Sequence, residues 1–207
     1  TSLGLLMLDL WIIWKGIRMS ISYPLALPSH TGIMSVELTA INAVAYMKSP
    51  FTFAGQAHAY SGQTWQADVT LPAMKRADAE QWIAFLISLR GQFGTFLLHD
   101  PSGTAPRGTA TTVNITGSTG DSSVSTTMTG TLLAGDYIQL GSGLGARLHK
   151  VLQDKNGSGT LEIWPALRAD QSNVSADLTS AAGLFRLSSN EQSWSVNEAS
   201  IYGIPFA

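Results

Sequence analysis

With 207 residues the chain is long enough for one large domain or two small ones, and for a real buried core. Charged residues make up only 13%, the formal net charge is -2 and the sequence pI is about 6.0, which argues against the basic surface that nucleic-acid backbones demand. The absence of cysteine excludes disulfides, thiolate metal sites and cysteine nucleophiles. Low charge combined with abundant Thr, Ser, Gly and Ala fits β-rich assembly proteins better than freely soluble enzymes.

The first stretch, Leu3 to Ile17, is strongly apolar but too short for a membrane span, which needs ~20 such residues, and it carries Asp9. It is not patterned as a signal peptide either, because Lys15 and Arg18 follow the apolar run instead of preceding it. Met19-Ser20-Ile21 reads as a natural start, so 1–18 is expected to be an upstream extension from a misplaced start codon. If translated, it is expected to pack on a neighbouring subunit. Pro24 and Pro28 then make Tyr23 to His30 extended and irregular. Ile33 to Ala40 is a strand candidate with Met34, Val36 and Leu38 on one face; Val44 and Tyr46 continue the pattern up to a break at Ser49-Pro50. Thr64 to Leu71 alternates cleanly, with Trp65, Ala67, Val69 and Leu71 on one side.

One helix stands out, over about Asp78 to Arg90. Asp78 and Gln81 form a capping-box pattern, Trp82, Phe85, Leu86 and Leu89 share one face, and Gly91 suits a left-handed terminus. Its apolar stripe must lie on a sheet. Gly94 to His99 gives the next strand. From Ser102 the composition shifts to Thr, Ser and Gly, and short strands recur at Thr111–Ile115, at Val124–Met128, within Leu132–Leu140 where a turn feeds a strand, at Arg147–Leu152 and at Thr160–Trp164. The run Asp154-Lys155-Asn156-Gly157-Ser158-Gly159 is a hairpin signal. This pattern predicts a second small β-barrel or sandwich. Gly183–Leu187 and Ser193–Ile204 supply closing strands.

Catalytic signatures are lacking. His30, His58, His99 and His149 have no metal-ligand spacing, and no Gly-x-Ser-x-Gly elbow occurs. Gly141-Ser142-Gly143-Leu144-Gly145 lacks the Lys-Ser/Thr of a phosphate loop and reads as a flexible hairpin loop. Asp136, Asp154, Glu162 and Asp170 fall on different turns, and Asp154-Lys155-Asn156-Gly157 lacks the downstream Glu of a calcium loop. The expectation is therefore no catalytic, cofactor or metal residue, no cofactor, and no enzyme. Tyr60, Trp65, Trp164, Trp194 and Tyr202 could instead line a sugar-binding face, which keeps a carbohydrate-binding β-sandwich module as the alternative, although strand aromatics are more often core.

Several segments carry a family resemblance. Tyr23-Pro24-Leu25, Pro28-Ser29-His30-Thr31-Gly32-Ile33, Ser49-Pro50-Phe51-Thr52-Phe53-Ala54-Gly55-Gln56 and Gly62 to Met74 are similar to tailed-phage and prophage proteins of the distal tail or minor tail type. The likeness continues through Ala79–Leu86 and Gly91–Phe96 and recurs in Trp194 to Phe206, so it covers most of Met19 to Asp100 and the end of the chain. It implies a mainly β, tail-tube-like sandwich or split barrel with one flanking helix, built from 19–107 with 181–207. The small β-unit, 108–180, would be inserted or appended outside it. It further implies a six-fold ring in the virion at the distal end of the tail, whose partners are its own copies, the tail tube protein and the tail-tip hub protein. Neither nucleic-acid recognition nor stable membrane insertion is expected. Open edges such as Thr64–Leu71 would pair between subunits.

Overall fold

The computed structural model describes residues 21–28, 33–101, 105–196 and 201–206. The N-terminal extension and His30 lie outside the described residues. Strands account for 48% and helical turns for 11%, so the fold is mainly β with one α-helix. Among the described residues no helix is long and apolar enough to cross a membrane.

The chain begins with two long antiparallel strands, β1 (Ser35–Lys48) and β2 (Gly55–Thr70), joined by a turn at 49–54. The Ser49-Pro50 break is that turn, and the two short strands expected before it are one continuous strand. After β3 (Met74–Lys75) comes the helix α1 (Arg76–Ser88). Its N-cap lies three residues earlier than the capping pattern suggests. Strand pairing fixes Met74 and Lys75 against β15 (Ile201–Gly203), so Lys75 becomes the extended N-cap and no side chain caps the helix. Asp78 is left in the first turn, where its charge still meets the positive end of the helix dipole. At the other end Arg90 and Gly91 both turn left-handed, at φ 53° and 64°. Glycine is needed at Gly91 for a second reason, since a Cβ there would lie 2.6 Å from Asn190 Oδ1, the acceptor of the Gln92 amide.

The helix face is as expected. Trp82, Phe85, Leu86 and Leu89 are buried, joined by Ala79 and Ile83, against Val69, Leu71, Met74, Phe96, Leu98, Leu187 and Ile204. Edge-to-face rings run from Trp82 to Phe85 (5.8 Å) and on to Phe96 (5.7 Å), a favoured aromatic geometry. Tyr23, from the proline-rich segment, donates its hydroxyl to the Ser88 carbonyl at 2.7 Å and so satisfies one of the helix's orphan acceptors. Strand β4 (Phe96–His99) pairs with β13 (Ala182–Phe185) under this core. The tail is divided: β14 (Ser195–Val196) pairs β15, and β16 (Pro205–Phe206) pairs the end of β2.

A second buried cluster draws on 110–178, with Val113, Ile115, Val124, Leu132, Ile138, Leu161 and Ile163 at its centre. It lies on a six-stranded antiparallel sheet. In spatial order the strands are β12 (Gln171–Ser175), β5 (Thr112–Gly117), β6 (Ser123–Thr129), β11 (Gly159–Trp164), β9 (Arg147–Val151) and β8 (Tyr137–Leu140). Strand β6 alternates strictly, turning Val124, Thr126 and Met128 inward. Two residues beyond β12, Asp177 exchanges both backbone hydrogen bonds with Gln139 of β8, each 2.9 Å. The two edge strands are thereby drawn together and the sheet curls into a half-barrel. The hairpin signal at Asp154–Gly159 lies between β9 and β11, which do pair, but as part of a longer excursion. Its Lys155–Asn156 step (β10) pairs with Thr131–Leu132 (β7), pinned by Asp154, which accepts from the Ala134 amide at 2.7 Å.

Candidate assembly interface

The feature that sets this chain apart is what β1 and β2 do beyond the body. At their root they behave as a half-buried pair: Val36, Leu38, Ala67 and Val69 face the helix-bearing core, and Glu37, Thr39, Gln66 and Asp68 face away. Further out, the last ties to the body come from the second β-unit. Trp65 Nε1 donates to Leu148 O at 3.0 Å, Trp164 Nε1 to Asn42 Oδ1 at 2.7 Å, and the Ala166 amide to Gln63 Oε1 at 2.8 Å. The two indoles meet edge to face at 4.5 Å. From Thr39 to Gly62 every residue except Ser49 is exposed. At a rise of ~3.4 Å per residue, the part beyond Asn42 projects roughly 20 Å as a two-stranded arm.

A register slip lies just beyond these ties, between Asn42↔Gln63 and Val44↔Ala59. There Tyr60, Ser61 and Gly62 stand against Ala43 alone, a bulge of the kind that increases local twist. A Cβ on Gly62 would come within 3.0 Å of the Ala43 methyl. At the tip, Ser49 Oγ accepts from the Phe51 and Thr52 amides, and Lys48 Nζ sits 5.0 Å over the Phe53 ring.

The arm is apolar where water would ordinarily select polar residues. Val44 (55% exposed), Tyr46 (65%), Met47 (77%), Phe51 (91%), Phe53 (69%) and Tyr60 (59%) all lie on it. Exposed apolar residues concentrated on one element make the arm a candidate interaction surface. Its edges are open too. Among the described residues strand β1 pairs only with β2, and β2 has one further partner, β16, at Val69 and Thr70. The outer backbone groups of β1, and those of β2 from Gly55 to Asp68, have no strand partner among the described residues. Between Thr39 and Met47 there is neither a charge nor a proline, the devices that normally blunt such edges. Along Thr64–Thr70 one edge is thus covered by β1, and among the described residues the outer edge is covered only at its end, by β16.

The residues weighed for chemistry are dispersed. His58 lies on the arm, 4.7 Å from the Tyr60 ring, and His99 is exposed at the end of β4. His149 is buried, with Nδ1 2.7 Å from Pro165 O. Burial, helped by Arg147 and Arg168, outweighs that carbonyl and lowers its pKa. Asp136 is buried as well. Burial alone would push its carboxyl up, but hydrogen bonds from the Leu133 and Arg107 amides and the Arg107 guanidinium, 3.1 Å away, hold it below the usual carboxylate range. Asp154 accepts from Ala134 and Asp170 from Thr119, so each anchors a turn of its own. Gly141 to Gly145 links the paired strands β8 and β9 through a 3-10 turn. Among the described residues no cluster of three His, Asp or Glu could hold a metal. Of the aromatics considered for a sugar face, Trp65 and Trp164 come together, with their indole N–H groups committed to the arm's root. Tyr60 lies in the bulge, out on the arm.

The length of the arm escaped the sequence reading. The Gly55–Gln63 stretch has only the weak alternation Ala57, Ala59 against His58, Tyr60, and pairing with β1 is what makes it a strand. No protein-family model matches the chain, and no curated protein matches it either.

Proposed function

We propose that this chain is a structural virion protein of a tailed bacteriophage or prophage, forming a ring at the distal end of the tail tube. In that reading the ring joins the tube protein to the tail-tip hub and its receptor-binding parts, and it performs no catalysis. The observation that carries the reading is the arm, whose two edges are open and whose surface is apolar. A lone protein gains nothing from such an element and risks aggregation through it. Copies placed side by side resolve the problem, because the β1 edge of one can add to the β2 edge of the next. That contact is heterologous and head-to-tail, so it closes into a ring when the rotation permits.

The energetics favour repetition. In an antiparallel strand alternate residues direct their N–H and C=O groups to one edge, so beyond Asn42 each arm edge offers about three or four of each. At about 0.5–1.5 kcal/mol per hydrogen bond, one edge-to-edge contact supplies several kcal/mol before the apolar side chains are covered. The resemblance of the flanking segments to distal tail and minor tail proteins supports the same assignment and suggests six copies. The test is negative-stain microscopy of the purified full chain. Closed rings of six, with the arms meeting at the inner wall, are the expected result; unringed particles at every concentration would reject it.

A further inference from the structure

A second surface lies at the arm's root and has the opposite character. An open cleft of about 390 Å³ separates β2 from the second β-unit and from β13, lined by Thr64, Trp65, Arg147, Arg168, Phe185 and Arg186, with His149 in its wall. Its three arginines come from three different elements, and each guanidinium is held by main-chain carbonyls. Arg147 donates to Leu144 O (3.2 Å) and Ala146 O (2.8 Å), Arg168 to Gln63 O (2.5 Å), and Arg186 to Gln92 O (3.1 Å) and Phe93 O (2.5 Å). Among the described residues none has a carboxylate within 4 Å, and the ion pairs there are Arg76–Glu80 and Arg107–Asp136. In a chain of net charge -2, three oriented and unneutralised guanidiniums around one concavity form a local excess of positive charge. A guanidinium has five N–H donors, so each keeps donors in reserve after binding its carbonyls.

We propose that this cleft is a docking site for an acidic protein segment, whose side-chain carboxylates bind Arg147, Arg168 and Arg186. Three features favour an extended peptide over a small anion. The charges are spread around an open rim and do not converge on one point. Trp65 and Phe185 supply apolar wall between them. The cleft also borders β2 where that strand lacks a neighbour, so a segment adding to the β2 edge at Thr64–Trp65 passes directly over the arginines. Fork-shaped guanidiniums suit carboxylates in particular, because the two can bond in parallel pairs. The inference stands independently of the ring assignment.

The experiment is calorimetric titration of the full chain with a blocked tetraglutamate peptide, its tetraglutamine counterpart, glucuronate and inorganic phosphate. Tetraglutamate binds and tetraglutamine does not. Arg147→Gln and Arg168→Gln each weaken tetraglutamate about tenfold, equivalent to the loss of one charge-assisted contact, and Arg90→Gln leaves it unchanged. Because Arg147 and Arg168 also brace loops, Thr64→Glu gives a separate check. It places a carboxylate in the cleft from an exposed strand position, and it abolishes binding while leaving the fold intact by circular dichroism. In the unaltered chain, bound tetraglutamate also raises the pH at which the His149 ring titrates, followed by NMR, since it offsets the charges of Arg147 and Arg168. No binding of tetraglutamate, binding untouched by all three cleft variants, or tighter binding of glucuronate or phosphate than of the peptide would each overturn the proposal.

Discussion

The arm and the second β-unit are both antiparallel β-structure, yet they handle their apolar residues in opposite ways. In β6, β9 and β11 the apolar positions point into a shared core, and the sheet curls until its edge strands are bridged through Asp177 and Gln139. In β1 and β2 beyond Asn42, residues of the same type remain in water on both faces and both edges. One unit closes on itself; among the described residues the other leaves its apolar side chains and outer edges uncovered. The difference teaches that strand patterning specifies pairing and face, and that the partner which covers a face can be another molecule.

The contrast can be broken first where burial is deepest. Trp82 is fully buried at the centre of the helix-bearing core. Trp82→Ala should cost about 3–5 kcal/mol in denaturant unfolding, the range for emptying an aromatic core site. Next comes Asp136, which holds two main-chain amides and the Arg107 guanidinium at the start of the second unit. Asp136→Asn turns a donor toward one of these donors, and an expected loss of about 1–3 kcal/mol follows at neutral pH. Its pH dependence has a definite sign. The folded carboxyl titrates below the ordinary value of 3.8, so its stabilisation is present above the unfolded pKa and fades as pH falls through the lower folded one. Wild type and variant should therefore converge in acid, as followed by thermal melts across that window.

The arm should behave differently. Phe51→Ser with Phe53→Ser is expected to shift the monomer's unfolding free energy by no more than about 0.5 kcal/mol, as for a surface change, while abolishing assembly measured by sedimentation. Smallest is an effect at the arm's root. Glu37 and Asp68 stand directly opposite each other on the outward face, both exposed. Glu37→Lys turns like-charge repulsion into attraction and should stabilise the chain by about 0.2–1 kcal/mol, with the gain fading in high salt.

Much of this division was legible in the residues. The helix face was fixed by the spacing of Trp82, Phe85, Leu86 and Leu89, because a period of 3.6 admits one buried side. The start of the helix was misread, since the pairing of Met74 and Lys75 with β15 is a contact from the far end of the chain. The strands of the second unit could be found by alternation and turn chemistry; that β12 and β8 are bridged could not. Tyr46, Met47 and Phe51 look the same in sequence whether they face a core or a solvent, so the exposed arm was legible only as a strand and a turn. The arginine cleft left no trace, because Arg147, Arg168 and Arg186 are brought together by three separate elements.

The most direct test of the arm as an assembly device is the solution mass of the purified full chain by light scattering across a concentration series. A closed multiple of the 22.0 kDa chain, returning to one copy in the Phe51→Ser, Phe53→Ser variant, is the expected result. A 22.0 kDa species at every concentration, or an oligomer whose mass ignores those two substitutions, would contradict it.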